Sequence, residues 1–399
     1  MAETSKLALR LFARKSHRSQ SVTDEIQRPL RSGRCGAGMA DFTSSLYLDM
    51  RHPSRTIGAW PQLTTGKPAA LEPPAHAATL ARALARLTGC DSAVLLPSTL
   101  HLFFDLFEMM RRDGISLHID SGAYPIARWA AQRASALGVP IRVFRHFDAA
   151  AAGASVGAAA ASGLRPVIVT DGFCPSCSRP APLREYLRFV AHAGGRLVID
   201  DTQAVGIWGV RPTLPNAYGQ GGGGSLRLCQ IRSPHVVIGA SLAKGFGAPV
   251  AVLAGSAALI NRFEQCSGTR VHASPPSAAV IQAAARALSL NATQGDERRR
   301  RLAALVRDFQ RRIGATGVAV PQSLFPVQGL VAPRGADPGR LQRCLATQGV
   351  EIAVVQGCDG WQDRLAFVLG LRHTPADLVR AAAALATALK TVSHLTAAL

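Results

Sequence analysis

Short runs of apolar residues recur along the chain from residue 90 onward, and many of their side chains are β-branched or aliphatic. The runs are AVLLP (93–97), SLHI (116–119), IRVF (141–144), PVIVT (166–170), RLVID (196–200), HVVIG (235–239) and VAVLA (250–254). A strand with one face in water alternates polar and apolar residues, whereas these runs are almost continuously apolar. They therefore predict strands that are buried on both faces of a sheet.

Amphipathic helical patterns lie between most of these runs. The clearest are LHLFFDLFEMMRR (100–112), IARWAAQRASAL (126–137) and LREYLRFVAHA (183–193). Alternating strands and helices predict an α/β fold with a mainly parallel sheet covered on both faces. Only ten residues and a Gly-Ala-Pro bend separate the last two runs, which favours one antiparallel strand at an edge.

The pattern changes after about residue 285, where long helical patterns carry only two strand-like pieces, VQGLVAP (327–333) and RLAFVLG (364–370). This change predicts a large domain over 41–285 and a smaller α+β domain over 286–399. The final helix is expected after Thr374, because a Thr-Pro pair followed by an acidic residue is typical of a helix start.

The chain carries a formal net charge of +20, and residues 1–40 predict a basic N-terminal arm or, less simply, a mitochondrial transit peptide. Such a charge suits nucleic acid, a membrane surface or an acidic carrier. The basic residues are spread, aromatic residues make up only 6%, and no recognition helix or RNA-binding signature accompanies them, which argues against nucleic acid. The densest run, from Asp296 to Arg301, predicts the solvated face of a helix.

Two features predict a cytoplasmic protein without a membrane span. No apolar run reaches the roughly 18 residues that a spanning helix needs. The eight cysteines are scattered, and no secretory signal opens the sequence, so a disulfide framework is not expected. Cys174 and Cys177 have the C-x-x-C spacing of a redox or half-zinc site, but no second pair accompanies them. We interpret them as ordinary loop thiols and expect no metal.

Two charged residues stand where a parallel sheet binds ligands. Asp200 ends the run RLVID, and Lys244 follows HVVIGASLA among Ala, Gly and Phe residues. Ligands of open parallel sheets bind at the carboxyl ends of the strands. A lysine among apolar neighbours is partly desolvated, which lowers its pKa and suits it to form a Schiff base. Taken singly, Asp200 and Asp201 are also compatible with a helix-capping pair, and Lys244 with a surface lysine.

A possible phosphate-binding segment strengthens the interpretation of Asp200 and Lys244 as ligand-binding residues. Ser98 and Thr99 place small hydroxyl groups between a predicted strand and an apolar helix, where the helix N-terminus can bind a phosphate. A carboxylate that keeps a pyridine nitrogen protonated, a Schiff-base lysine and a phosphate site together predict a pyridoxal phosphate enzyme. The segment SLAKGFG is not a P-loop, because glycine rather than Ser or Thr follows the lysine.

Four segments carry motifs of a known enzyme family. FTSSLYLDMRHP (42–53) is similar to F-x-S-N-x-Y-L-G-L, DGFCPSCSRPAPL (171–183) to D-G-x-x-S-M-D-G-x-x-A-P-L, VIDDTQAVGIWG (198–209) to V-D-[DE]-x-H-x-x-G-x-x-G, and SLAKGFG to T-L-[SG]-K-A-x-G. On these motifs the chain resembles the α-oxoamine synthase family of fold type I pyridoxal phosphate enzymes, from about residue 41 to 385. The resemblance implies an aminotransferase-like fold, the cofactor pyridoxal 5′-phosphate and an active site formed between the subunits of a homodimer.

The resemblance also implies roles for residues of the cofactor site. Lys244 would bind the cofactor covalently, and Asp200 would contact its pyridine nitrogen. Ser98, Thr99 and Ser241 would hold the phosphate.

Four positions depart from the family pattern. Tyr124 stands where the family stacks a His on the cofactor ring, and Gln203 replaces a His that contacts the phenolic oxygen. Ser45 replaces the Asn of the first motif, and Ala366 stands where the family has an Arg that binds the amino-acid carboxylate. The cofactor residues are thus largely retained while the amino-acid site is changed, which predicts altered amino-acid recognition.

Three further residues are candidates for the substrate site. His76 matches a family His near the cofactor. Arg372 and Arg270 are candidates to replace the missing carboxylate contact, although Arg372 is also compatible with a solvent-facing residue ahead of the last helix.

The sequence therefore predicts a biosynthetic pyridoxal phosphate-dependent transferase that condenses an amino acid with an acyl thioester of coenzyme A or of an acidic acyl carrier protein. The positive charge of the chain suits either acyl donor. An aminotransferase or lyase on the same scaffold and a non-catalytic subunit of a heterodimer are the alternatives. The presence of both Lys244 and Asp200 argues against the non-catalytic subunit.

Overall fold

The computed structural model describes residues 38–333, 336–358 and 362–396, without the side chains of 392–396. Residues 1–37 of the predicted basic arm therefore lie outside the described residues. From Ala40 onward the described chain forms one compact unit.

The strands of the described residues are β1 (Ala40–Asp41), β2 (Ser92–Leu96), β3 (Ile115–Asp120), β4 (Ile141–Phe144), β5 (Arg165–Asp171), β6 (Phe173–Cys174), β7 (Arg179–Pro180), β8 (Arg196–Asp200), β9 (Val236–Ser241), β10 (Ala251–Gly255), β11 (Val327–Val331), β12 (Val350–Glu351), β13 (Ala353–Gln356) and β14 (Asp363–Val368). The α-helices are α1 (Ala77–Thr88), α2 (Thr99–Arg111), α3 (Pro125–Ala136), α4 (Ala149–Ala161), α5 (Leu183–His192), α6 (Ser225–Cys229), α7 (Ala257–Cys266), α8 (Gly268–His272), α9 (Ala278–Gly314), α10 (Pro338–Thr347) and α11 (Pro375–Thr396). None of these helices combines the length and the apolar character that a membrane span requires.

A seven-stranded sheet with the order β2-β10-β9-β8-β5-β3-β4 forms the centre of the fold. Each of the seven predicted apolar runs lies in one of its strands, so the predicted α/β class is confirmed. The pairs from β9 to β4 are parallel, and β10 is antiparallel to both β9 and β2. The predicted antiparallel strand, β10, is therefore present but is not at the edge of the sheet. Strand β2 pairs with its outer side and forms the edge.

Helices cover both faces of this sheet, as the continuous apolar strands predict. Alternate residues of β5 illustrate the reason, since Val167 and Val169 join one buried cluster while Ile168 joins another. Helices α2, α3 and α7 supply the first cluster, and α4 and α5 contribute to the second. The prediction of strands buried on both faces is wrong for the edge strand β4, where Val143 is 66% exposed. Along the interior strands, only the strand ends remain open to a ligand.

A smaller antiparallel sheet of order β11-β14-β13 forms in the C-terminal part of the chain. Both strand-like pieces predicted there, 327–333 and 364–370, lie in it, and β13 is an additional strand. Helix α9 has 37 residues and spans the predicted domain limit at residue 285. The domain limits themselves stay a prediction.

The prediction of a wholly solvated basic face over 296–301 is wrong for one residue. Arg299 is 1% exposed and donates hydrogen bonds to the Gly206 carbonyl oxygen (2.9 Å), Asn291 Oδ1 (2.8 Å) and Asp296 Oδ1 (2.6 Å). The helical period explains the burial, because Arg299 follows buried Gly295 by one turn on the inner face of α9. Its guanidinium thereby connects α9 to the turn after β8.

We expect Arg299→Ala to lower the free energy of unfolding by about 2 to 4 kcal/mol, because it leaves buried acceptors without a donor. Arg300→Ala is the matched control, since Arg300 pairs with Glu297 on the same helix but is half-exposed. Its loss should change stability by less than about 0.5 kcal/mol. Chemical denaturation of both variants measures the difference, and equal effects would contradict the assigned role of Arg299.

Candidate active site

Acidic residues end three neighbouring parallel strands of the large sheet. Asp120 is the last residue of β3, Asp171 of β5 and Asp200 of β8, while β9 ends at Ser241. All three aspartates are buried, with at most 9% of their surface exposed. Since ligands of parallel sheets bind at this edge, the three carboxylates mark the candidate site.

Asp200 and Asp171 lie opposite each other in the register of β8 and β5. The backbone N–H of Thr202 donates to Asp200 Oδ1 (3.0 Å), and that of Tyr124 donates to Asp171 Oδ1 (3.0 Å). Burial raises the pKa of both carboxyl groups, and the charge of Asp200 raises the pKa of Asp171 further. Lys244 opposes the shift at Asp200. The pair is therefore suited to a cationic group placed against it.

Lys244 lies in the turn after β9, within electrostatic range of both aspartates. Burial lowers the pKa of its ammonium, while the negative charges of Asp200 and Asp171 act in the opposite direction. Its Nζ lies 5.9 Å from the ring centroid of Tyr124. A lysine of lowered pKa is more often a neutral amine, which is the nucleophilic form.

Two glycines let the Lys244 turn pack against the turn that follows β8. A Cβ atom on Gly245 would lie 2.7 Å from the carbonyl oxygen of Val205, and one on Gly206 would lie 3.1 Å from Cα of Gly245. Gly206 also has a φ of +90°, which disfavours other residues. This close backbone contact keeps Lys244 beside the end of β8.

The predicted phosphate residues lie at the ends of β2 and β9, which are separated by β10 in the sheet. Ser98 precedes α2 and Thr99 begins it, and no side chain caps this helix. Ser98 Oγ instead forms a hydrogen bond with His101 Nδ1 (2.8 Å). The end of β2 is in register with the end of β9 across β10, so Ser241 opens onto the same edge. Helix N–H groups and small hydroxyls of this kind bind anions.

Tyr47 connects two of the residues at which the chain departs from the family pattern. Its Oη donates to Oε1 of Gln203 (2.7 Å), and its backbone N–H donates to the carbonyl oxygen of Ser45 (2.8 Å). The Tyr47 ring is fully buried against Phe325, and burial raises the pKa of its hydroxyl. Tyr47 thus connects Gln203 to the segment that contains Ser45.

The two arginines considered for a substrate carboxylate both pair with acidic residues of this chain. Arg372 contacts the Asp41 carboxylate at 2.7 Å, and its side chain is 24% exposed. Arg270 lies 3.4 Å from Glu264. Each guanidinium therefore already has a carboxylate partner.

Two other positions lie away from these contacts. His76 is exposed and precedes α1 with a φ of 64°, and no hydrogen bond or ring contact of the described residues joins it to Lys244 or Asp200. Ala366 is fully buried in β14, between Gly329 of β11 and Ala353 of β13. A long charged side chain at position 366 would therefore have to displace the residues packed around Ala366.

Asp171, Asp120 and Tyr47 are not among the predicted site residues. The two aspartates directly follow runs that are predicted as buried strands, as Asp200 ends another. The same reasoning that selects Asp200 would have found them. Tyr47 stands in the first family motif, but only the fold shows that it contacts Gln203.

Comparison with known proteins identifies the family of this chain. Residues 39–385 match the family model described as aminotransferase class I and II. The 8-amino-7-oxononanoate synthase of Marinobacter nauticus is 32% identical over 233 residues, which are 57% of this chain and 56% of that protein. The chain thus spans little more than half the length of this curated relative.

Two solved structures share the fold. The serine palmitoyltransferase of Sphingomonas wittichii has a TM-score of 0.75 at 14% identity, covering 89% of this chain and 88% of that chain. The 8-amino-7-oxononanoate synthase of Francisella tularensis has a TM-score of 0.69 at 16% identity, covering 89% of this chain and 99% of that chain. The resemblance stated on the sequence motifs is confirmed: this chain belongs to the aminotransferase class I and II family of pyridoxal phosphate enzymes, with α-oxoamine synthases among its relatives.

Proposed function

We propose that this chain is a pyridoxal phosphate-dependent acyltransferase that condenses an amino acid with an acyl thioester. One observation carries the proposal, namely that Lys244 lies near the Tyr124 ring, with its Nζ 5.9 Å from the ring centroid, and interacts electrostatically with the buried carboxylates of Asp200 and Asp171. An amine, an aromatic face and a buried anion match the carbonyl carbon, the ring and the pyridine nitrogen of pyridoxal phosphate. When bound, this cofactor supplies an electron sink for chemistry at the α-carbon of an amino acid.

Each side chain has a distinct part in this proposal. Asp200 holds a proton at the pyridine nitrogen, and Asp171 beside it increases the negative potential that stabilises this proton. Lys244 would hold the cofactor covalently through its carbonyl carbon, and the neutral amine of this lysine would move a proton at the substrate α-carbon. Tyr124 packs on the ring face.

The ends of β2 and β9 and the start of α2 bind the cofactor phosphate in this proposal. Ser98, Thr99 and Ser241 offer hydroxyl groups, and the uncapped N-terminus of α2 offers backbone N–H groups. The helix dipole adds a favourable interaction with the phosphate charge.

The relatives and the charge of the chain support the choice of an acyl thioester. Enzymes named 8-amino-7-oxononanoate synthase and serine palmitoyltransferase are similar to this chain in sequence or in fold. A net charge of +20 favours an acyl donor that carries phosphates or an acidic carrier domain. We further propose a homodimer in the cytoplasm, with the segment 272–276 near the phosphate of the partner subunit.

Amino-acid recognition differs from the family pattern in this proposal. Ala366 offers no guanidinium, and Arg372 and Arg270 already contact Asp41 and Glu264. A substrate with an additional recognised group, rather than the smallest amino acids, therefore suits the site best.

We expect purified protein to be yellow and Lys244→Ala to lose the covalent, borohydride-reducible link to the cofactor. The reason is that Lys244 is the described lysine beside the buried carboxylates. Lys67→Ala is the control, because Lys67 is exposed and pairs with Glu72. Absorbance spectra and intact mass after reduction measure the link. A colourless wild type that takes up no added pyridoxal phosphate would instead favour a non-catalytic subunit.

Asp200→Asn should retain cofactor but lose at least about 100-fold in the rate of α-proton exchange, because a neutral amide cannot hold the pyridine nitrogen protonated. Asp91→Asn is the control, since Asp91 is an exposed residue near Arg232 and should leave the rate unchanged. Proton exchange is measured by NMR in deuterated water. A near-normal rate for Asp200→Asn is incompatible with the proposed orientation of the cofactor.

Glycine, alanine and serine should bind weakly. A buried guanidinium–carboxylate contact contributes about 2 to 5 kcal/mol, so its absence lowers affinity by about 30- to 5,000-fold. Titration of the cofactor absorbance with each amino acid measures the dissociation constant, with Arg372→Ala and Arg270→Ala as companion variants. Tight binding that neither variant weakens would mean that another group holds the carboxylate.

A further inference from the structure

Four potential metal ligands meet beside the candidate active site. His146 follows β4, Cys174 ends β6, Cys177 lies in the turn between β6 and β7, and Cys358 follows β13. One ligand atom from each lies within 4.8 Å of every other, and all three cysteines are free thiols. The C-x-x-C pair that the sequence presents without partners thus gains two more ligands from distant parts of the chain.

The separations fit a single tetrahedral ion. Zinc bonds of about 2.3 Å to sulfur and about 2.0 Å to nitrogen place tetrahedral ligands roughly 3.5 to 3.8 Å apart. Nε2 of His146 lies 3.4 Å from Sγ of Cys177, and the whole set is within 4.8 Å. A polynuclear iron–sulfur cluster needs its ligands further apart, because they surround several iron atoms.

The surroundings of His146 match those of a metal-binding histidine. Its Nδ1 contacts Oδ1 of Asp120 at 2.6 Å, and both side chains are buried, at 8% and 0% exposure. With the proton on Nδ1 held by this carboxylate, the Nε2 lone pair is directed at the thiols. Gly122 leaves room for the arrangement, since a Cβ atom there would lie 2.3 Å from His146 Nδ1.

The thiols also have suitable neighbours. The backbone N–H of Cys177 donates to Sγ of Cys174 (3.5 Å), and the two sulfurs lie within 4.8 Å of each other. Arg179 contacts Cys177 and lines one cleft together with His146 and Cys358. In this position its guanidinium can offset the negative charge that three thiolates leave on a divalent ion.

We propose that His146, Cys174, Cys177 and Cys358 bind one zinc ion in a closed, structural site. Three thiolates and one imidazole are a donor set that selects zinc over hard cations, and four protein ligands leave no position for a substrate. A Cys174–Cys177 disulfide would remove two of the four ligands and leave His146 and Cys358 without a shared ion.

The zinc site connects the small sheet to the cofactor side of the large sheet. Cys358 follows β13, whereas Asp120, which orients His146, ends β3. Asp120 Oδ1 also accepts the backbone N–H of Gly122 (2.8 Å), at the start of the segment that leads to Tyr124. The ion therefore stabilises the segment that carries Tyr124, whose ring lies near Lys244.

Metal analysis of the full chain, purified with a tag that contains no histidine and without chelators, tests this proposal. We expect about one zinc per chain in the wild type. Cys177→Ser and Cys358→Ser should each reduce zinc at least about tenfold, as loss of a ligand does. Cys344→Ser is the matched control, because Cys344 is a half-buried thiol of α10 outside the cluster, and it should keep full zinc.

Measurements on the wild type keep the test valid where a variant fails to fold. Alkylation under denaturing, non-reducing conditions with a chelator should modify all eight cysteines of the chain. Cobalt exchanged into the protein should show the intense visible bands of a tetrahedral thiolate site. A wild type without zinc, a chain with two unreactive cysteines or stoichiometric iron would each overturn the proposal. Zinc content is read independently of cofactor colour, so failure of one proposal is distinguishable from failure of the other.

Discussion

Three buried carboxylates at one edge of the large sheet are the constraint on which the rest of the structure depends. Asp120, Asp171 and Asp200 end adjacent parallel strands and are almost inaccessible to water. A buried charge is costly unless donors and cations surround it. The chain supplies these groups from both sides of the edge, with His146 against Asp120 and Lys244 near the other two.

This arrangement makes the site electrostatically selective. One lysine faces two carboxylates, so the pKa of Asp171 stays raised and the edge still attracts a further cation. A pyridine ring that is protonated on its nitrogen is a planar cation. The half-exposed Tyr124 ring offers a flat surface against which such a ring can stack. The same burial that raises the carboxyl pKa values lowers that of Lys244, so the constraint that shapes the anionic pocket also activates the amine.

The proposed zinc site and the proposed cofactor site share this edge. Asp120 forms a hydrogen bond with the proposed zinc ligand His146. It also accepts a hydrogen bond from the backbone N–H of Gly122, in the segment that leads to Tyr124. A closed metal site of this kind replaces a large apolar interface where two small elements, the β6–β7 hairpin and the loop after β13, meet. Loops that carry catalytic residues gain rigidity from such a link without added core volume.

The sequence by itself determined the α/β class, the seven strands of the large sheet and the location of Asp200 and Lys244 at one edge of it. Local rules place these features, because apolar runs predict strands and parallel strands present their ends at one edge. Tertiary structure alone decided that Arg299 is buried, since a run of arginines does not reveal which one faces inward until α9 packs. It also decided that His146 and Cys358 join the C-x-x-C pair. Such contacts join residues far apart in the chain, and no local pattern encodes them; they arise only where the packed sheets bring separate loops together.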